Sequence, residues 1–407
     1  MPDSSPPTAV RRRLRQGRDR LATALITAGG IGVIAALLAI GVFLVVEVLP
    51  LFWPAGSTQA VSPEALWLPG EAADDGTRYR WAPTATLMSD EAPRISLVPL
   101  AWGTLEAAAW ALLMALPLAL GAAAHSSLFM SRPLRNRLKP TLELMEALPG
   151  VVVGFVAGLV LAPWVERHLA EVFTFLVLLV PGLLLAGGIR SGLPPRWQQA
   201  VPLGWAGLWL MPWLVLLLVA ANWLAPWLEA VGFGGDLRRW LELRLGLDIA
   251  VRNAMIVGMA MGFAVMPTVY ALAEDALSGV PRSLVEGAQA LGATRWQTLW
   301  RVLLPAASPG IFSAVMIGAG RAVGETMIVL MASGNTALMT LNPLDGLRSM
   351  AATIAIELPE AGPGSVHYQL LLLAALLLFV FTFLVNTLAE LVRTRLRRRY
   401  QRLGGGS

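Results

Sequence analysis

Cysteine is absent from the 407 residues, so neither a disulfide nor a thiolate metal site is available. Histidine is nearly absent: His125, His168 and His367 are too scattered to assemble a metal centre. Lysine occurs once, at Lys139, and no glycine-rich stretch precedes it. A phosphate-cradling loop of the G-x-x-x-x-G-K-[ST] kind needs its glycines and lysine together, so this chain carries no nucleotide site of that kind. If ATP drives it, another subunit must bind the ATP. Charge is scarce as well, at 14% of residues against about a quarter in soluble domains. No nucleophile–base arrangement stands at the end of any apolar run, and no catalytic residue is assigned.

Apolar residues fill the space that charge leaves, at 56% of the chain. Runs at about 21–46, 100–124, 151–165, 170–190, 203–228, 251–275, 309–333 and 367–391 serve as membrane crossings. They predict an all-α polytopic membrane protein of about eight spans, with Pro117 a kink in the second. Residues 1–20 form a basic tail. The run after it is longer than a signal-peptide core and lacks a small-residue cleavage site, so it reads as a retained span. Residues 47–98 are polar and read as the longest segment outside the membrane, a loop with a few strands or a short helix. Residues 229–250 read as an amphipathic surface helix, and the closing GGGS of the 401–407 tail resembles a linker scar.

With eight spans, both termini and the loops near 131–148, 190–200 and 276–308 share one side. That side carries more than twice the Lys and Arg of the other, which makes it cytoplasmic. The basic residues thus cluster beside spans, an orientation signal rather than a nucleic-acid footprint. Fifteen tryptophans in or near the spans read as an interfacial belt against lipid.

Between two of the runs lies EGAQALGATRWQTLWRVLLP, from Glu286 to Pro305. It predicts a short helix, a bend that Gly292 permits, and a second helix that Pro305 stops before the next span. Gly287, Ala288, Ala290 and Ala293 leave a shallow face over which another protein's groove can close. The alternative is an interfacial helix lying along the bilayer. The placement of Glu286, Gly287, Ala288, Gly292, Leu304 and Pro305 resembles the EAA loop of ABC importer permeases, and that resemblance implies docking to an ATPase subunit.

The seventh run carries GAGRAVGETMIVLMASGN, with Arg321 and Glu325 inside the apolar stretch. An arginine at the centre of a span costs about 2.5–3.5 kcal/mol on insertion scales, so it needs a partner and usually a function. At i and i+4 the two side chains share a helix face and can pair. Gly318, Gly320 and Gly324 thin the helix for close packing or ligand passage. The reading is that Arg321 meets an anion in the pathway while Glu325 holds the guanidinium between transport events; the alternative is a structural ion pair. Thr326 beside the pair, Thr104 in WGT and Asn335 past the span are candidate path-lining groups, or packing and capping residues. Glu143 and Glu146 read as a solvated helix face, and Glu106 as a carboxylate near a span end.

With GRAVGETM added to the EAA loop, the chain resembles the PstC-type permease of phosphate-specific ABC importers. VPLAWGTLEAA at 98–108 and LELMEALPGVVVGF at 142–155 strengthen the likeness, which covers roughly 97–165 and 250–400. It implies a type I ABC importer transmembrane domain, a six-span core plus an extra hairpin at 170–228. The implied partners are a PstA-like permease, two PstB-like ATPase subunits carrying ATP and Mg, and a PstS-like periplasmic phosphate-binding protein. The chain itself would bind no cofactor and no metal. Another oxyanion as cargo, an ion-coupled secondary transporter and a scaffold reporting phosphate status to a sensor kinase stay open.

Overall fold

The computed structural model describes residues 9–52, 63–68, 79, 81, 95–192, 194 and 206–404, and no strand forms among them. The basic tail from residue 9 onward is already helical: α1 (Ala9–Phe52) continues it into the first span. The polar segment at 47–98 lies largely outside the described residues. What is described there is a short helix, α2 (Pro63–Trp67), and an isolated bridge between Trp81 and Ile95. The chain continues as α3 (Val98–Leu128), α4 (Arg132–Glu146), α5 (Gly150–Val156), a π turn (Ala157–Leu161) and α6 (Ala162–Arg167). The hairpin read at 170–228 is α7 (Leu169–Gly192) and α8 (Ala206–Gly232), and most of its connecting loop lies outside the described residues. The amphipathic stretch yields α9 (Leu237–Leu245), capped by the Asp236 side chain and ended by left-handed Gly246. Then follow α10 (Ala254–Ser278), α11 (Arg282–Ala290), α12 (Arg295–Thr298), a second π turn (Leu299–Leu303), α13 (Leu304–Gly324), α14 (Met327–Ala332), α15 (Met350–Glu357) and α16 (Val366–Gly404). Among the described residues, eight helical stretches are long and apolar enough to cross a membrane, as the sequence predicts.

The centre of the molecule is the contact of α3 with α10. Ala107, Ala111, Ala115, Ala119 and Ala123 recur every fourth residue on α3, and all are buried. Against this ladder α10 sets Gly258 and Gly262; a Cβ on Gly262 would stand 2.9 Å from the Met114 side chain and 3.2 Å from the Ala111 carbonyl. In lipid, where apolar side chains gain little by leaving the solvent, such small faces let backbones approach and dispersion hold them. Gly318 packs α13 on α10 in the same way, its missing Cβ replaced by Val269.

A second apolar cluster ties α1 to α16 through Leu44, Val48, Leu51 and Leu370 to Ala374, with Leu66, Trp81 and Ile95 of the 47–98 segment packed onto it. Glu357 anchors the polar side of this region. Its carboxylate accepts from Trp81 Nε1 at 3.1 Å and pairs with Arg348 and with His367 Nε2 at 2.8 Å.

Two expectations about the seventh run fail. The helix does not stop at Pro305: it runs from Arg295 to Gly324, with the π turn absorbing the proline. Pro305 has no N–H to offer Arg301 and its ring would strike that carbonyl in a regular helix. The i+5 bond from Leu304 N–H to the Leu299 carbonyl widens the turn just before it. The π turn before Pro163 does the same, with Ala162 N–H bonded to Ala157. The apolar run 309–333 is also two helices, α13 and α14, separated at Glu325 and Thr326. The broken backbone is sheltered: Gly154 and Gly158 lie against α14, where a Cβ on Gly158 would stand 2.3 Å from the Met331 carbonyl. Beyond α14, the irregular stretch to Ser349 offers the carbonyls of Pro343, Leu344 and Asp345 to the N–H groups of Met255, Ala250 and Ala254, which satisfies the start of α10.

Candidate functional site

Arg321 occupies the last turn of α13, one turn before the helix ends at Gly324. Ending the helix there turns Glu325 into extended backbone (φ −71°, ψ 122°) and removes it from the face that Arg321 shares. The expected i, i+4 pair between Arg321 and Glu325 therefore does not form. The Glu325 carboxylate instead lies over the start of α14, at 3.4 Å from the Ile328 N–H, and beside Gly150, where a Cβ would be 2.9 Å from its Oε1. An acidic group at two helix starts is favoured by their exposed N–H groups.

The partner of Arg321 comes from 175 residues away. Its Nη1 donates to Glu146 Oε1 at 2.9 Å and to Thr268 Oγ1, and the Thr268 hydroxyl donates to the same Glu146 oxygen at 2.8 Å. Three helices, α4, α10 and α13, thus meet in a closed ring of hydrogen bonds. Glu146 does not present a merely solvated face, although its side chain and that of Arg321 remain 41% and 31% exposed, so both are within reach of water. The Nε and Nη2 donors of Arg321 make no hydrogen bond among the described residues. Gly318 serves close packing, whereas the face at Gly324 meets nothing within 4 Å.

The other end of α4 is clamped to the end of α10. Glu274 is fully buried and its Oε1 takes Ser278 Oγ at 2.8 Å and the Arg135 guanidinium; Lys139 Nζ stands 3.4 Å from Oε2, an ion-pair rather than hydrogen-bond distance. Lys139 also meets Asp275. Burial disfavours the charge on Lys139, but Asp275 and Glu274 outweigh it and hold the ammonium above the ordinary lysine value. Because the shift is upward, the pairing contributes at every pH below the ordinary value and is lost only as pH rises through the raised one. Sequence reasoning missed Thr268, Glu274 and the role of Glu146. The available signal was a carboxylate within an apolar run, at Glu274, and one three residues before the Pro149–Gly150 break, at Glu146.

Two weaker candidates make local structural contacts. Thr104 is buried, donates to the Leu100 carbonyl at 2.7 Å and accepts from Met350 N–H at 3.0 Å, which pins the start of α15. Asn335 has left-handed backbone (φ 55°) and donates to the Leu330 carbonyl, which closes α14. Thr326 is half-buried in the break, its hydroxyl 3.3 Å from the Gly324 carbonyl.

The Glu286–Pro305 stretch forms the first helix and the bend read from its sequence, and its second helix runs on past Pro305. Gly292 supplies the bend with φ 86°, and Thr294 and Gln297 close a capping box at the start of α12. No residue of α11 is buried; Glu286 and Gly287 face outward, and nothing stands within 4 Å of Gly287. Leu291 is 91% exposed, and the exposed rings of Trp296 and Trp300 meet edge to face at 5.8 Å. Ala288 is half-buried. Leu304 and Pro305, also half-buried, belong to the first turn of α13.

Membrane-spanning helices around a small-residue centre, with one charged helix broken inside the bundle and an outward-facing helix pair at its edge, define a membrane transport permease. The chain belongs to the family described as "Binding-protein-dependent transport system inner membrane component", which matches residues 115–398. It is 26% identical over 385 residues to the probable ABC transporter permease protein YqgH of Bacillus subtilis, covering 94% of this chain and 93% of that protein. It is 27% identical over 304 residues to the phosphate transport system permease protein PstC of Mesorhizobium japonicum, and 28% over 313 residues to PstC 1 of Mycobacterium tuberculosis. Each covers about three-quarters of both chains.

Proposed function

We propose that this chain is a permease subunit of an ATP-driven phosphate importer and forms half of the path for inorganic phosphate across a bacterial inner membrane, its termini cytoplasmic. The observation that carries the reading is Arg321, a permanent cation at a helix break inside the bundle, part of its donor fork unengaged. A planar guanidinium matches a tetrahedral oxyanion with paired donors, and it stays charged where an ammonium can lose its proton. The names of the PstC relatives supply the cargo, and Glu325 and Thr326 lie at the same break.

The drive comes from outside the chain. A PstB-like ATPase pair, which would hold ATP and Mg, grips the exposed α11–α12 helices here and the matching loop of a PstA-like partner. Closure of the pair moves the attached helices as rigid bodies and opens the path toward a PstS-like binding protein. The continuous helix from Arg295 through Gly324 supports this reading, since it joins the gripped surface to the turn that carries Arg321.

The test is uptake of radiolabelled phosphate into vesicles holding the assembled complex, with ATPase or binding protein omitted in turn. Uptake should require both and resist excess sulfate, phosphonate or molybdate. Uptake by the permease pair with no ATPase, or uptake suppressed by another oxyanion as strongly as by unlabelled phosphate, would overturn the proposal.

A further inference from the structure

We infer that Glu146 and Thr268 are positioning residues that pin one edge of the Arg321 guanidinium so that its other edge faces the path as a two-pronged anion receptor. The inference rests on the reading of Arg321 given above and assigns that site two residues from other helices.

An arginine on a long flexible stem samples many rotamers, and each must be given up when an anion binds. Here the choice is made beforehand. Nη1 is held by a carboxylate and by a hydroxyl that itself donates to the same carboxylate, so each member of the ring fixes the other two. A threonine hydroxyl suits this place because it accepts from the guanidinium and donates to the carboxylate at once. The edge formed by Nε and Nη2 keeps three N–H groups with no partner among the described residues, and a fork of that kind can hold two oxygens of one anion. Gly324, three residues on and on the same side of α13, has nothing within 4 Å of where a Cβ would stand, and the Arg321 side chain is 31% exposed, so within this chain the guanidinium is reachable. The ring's supports are firm: the Arg135 and Lys139 pairing with Glu274 and Asp275 clamps the far end of α4 to the same helix that carries Thr268. Glu146 could instead act as a competitor that occupies Arg321 until an anion displaces it. The one-edged contact favours pinning, because a competitor for the fork would take Nε and Nη2.

The experiment compares Glu146→Gln, Glu146→Ala and Thr268→Val in the reconstituted complex. A hydrogen bond to a charged group is worth enough that losing it should raise the KM for phosphate roughly tenfold in Glu146→Ala and Thr268→Val, with the maximal rate within about twofold. Glu146→Gln keeps an acceptor oxygen and should recover most of the loss. A lowered KM in Glu146→Ala overturns pinning in favour of competition, and an unchanged KM with a reduced maximal rate also overturns it. A second readout does not depend on cargo: maps of the purified complex, wild type against Glu146→Ala, should show the Arg321 side chain displaced in the variant. An unmoved guanidinium sinks the inference even if phosphate is carried. A displaced guanidinium in a complex that carries no phosphate sinks the cargo reading and leaves the positioning role standing.

Discussion

Helices α8 and α10 have the same mean hydropathy over their most apolar windows, 1.8, yet 17% of one window is buried within the chain and 56% of the other. Residue size separates them. Helix α10 meets its neighbours through Gly258, Ala260 and Gly262 and carries Thr268 and Glu274 into contact with α4. Helix α8 turns Trp223, Trp227 and a row of leucines and valines outward, and its own hydrogen bond across the hairpin, Trp213 Nε1 to the Gly182 carbonyl at 2.9 Å, goes to α7. Hydropathy measures only suitability for lipid. Whether a span becomes the hub or the rim depends on small residues that let a neighbour approach, and on polar groups that give the neighbour something to hold.

The most damaging way to probe this contrast is to enlarge the hub. Gly262→Leu must displace Met114 and the Ala111 backbone, and overpacking at such a contact costs roughly 1–3 kcal/mol or more. Thermal unfolding of the purified protein should shift down sharply, or the protein should fail to accumulate in membranes. Next, Arg321→Ala should abolish phosphate uptake while the variant still copurifies with its partner subunits; wild-type uptake by that variant removes Arg321 from the path. Glu274→Ala takes from Arg135 its carboxylate and leaves it Ser278, while Lys139 keeps Asp275; breaking a buried pair costs about 3–5 kcal/mol, less here because both bases are partly solvated and keep a polar neighbour. Its expected signature is faster proteolysis at the 128–132 turn together with a lower melting temperature. The rim should answer weakly. Gly187→Leu points into open space and should change stability by no more than about 0.5 kcal/mol. Replacing residues 174–232 by a short Gly/Ser linker should leave uptake within about twofold, since the rings of Phe173 and Phe233 already meet at 5.9 Å. Loss of uptake in the shortened chain would make the hairpin part of the machinery and erase the contrast.

The spans were legible because runs of that length leave few other readings, and the helix pair around Gly292 because a left-handed position and a capping box are local signals. The site was legible only in part. Arg321 stands out in any apolar run, but its pairing with Glu325 assumed an unbroken helix, and the break at Gly324 goes with α14 nesting on Gly154 and Gly158, a contact between distant segments. Glu146 is 175 residues away, and no periodic rule reaches that far. Pro305 misled for a related reason: a proline forbids one bond but does not dictate whether the chain stops or widens, and the π turn chose the latter.

That widened turn sets the azimuth of everything beyond it. An α-helix advances about 100° per residue, so the one additional residue in the Leu299–Leu303 turn rotates the α13 face by about that angle relative to α12. The direction in which Arg321 looks is therefore indexed to the exposed α11–α12 pair by the width of a single turn. Closing those same residues into a regular α turn would leave both ends of the rod chemically intact and aim them at different sides of the molecule, whereas deleting one residue along with the widening would keep the aim.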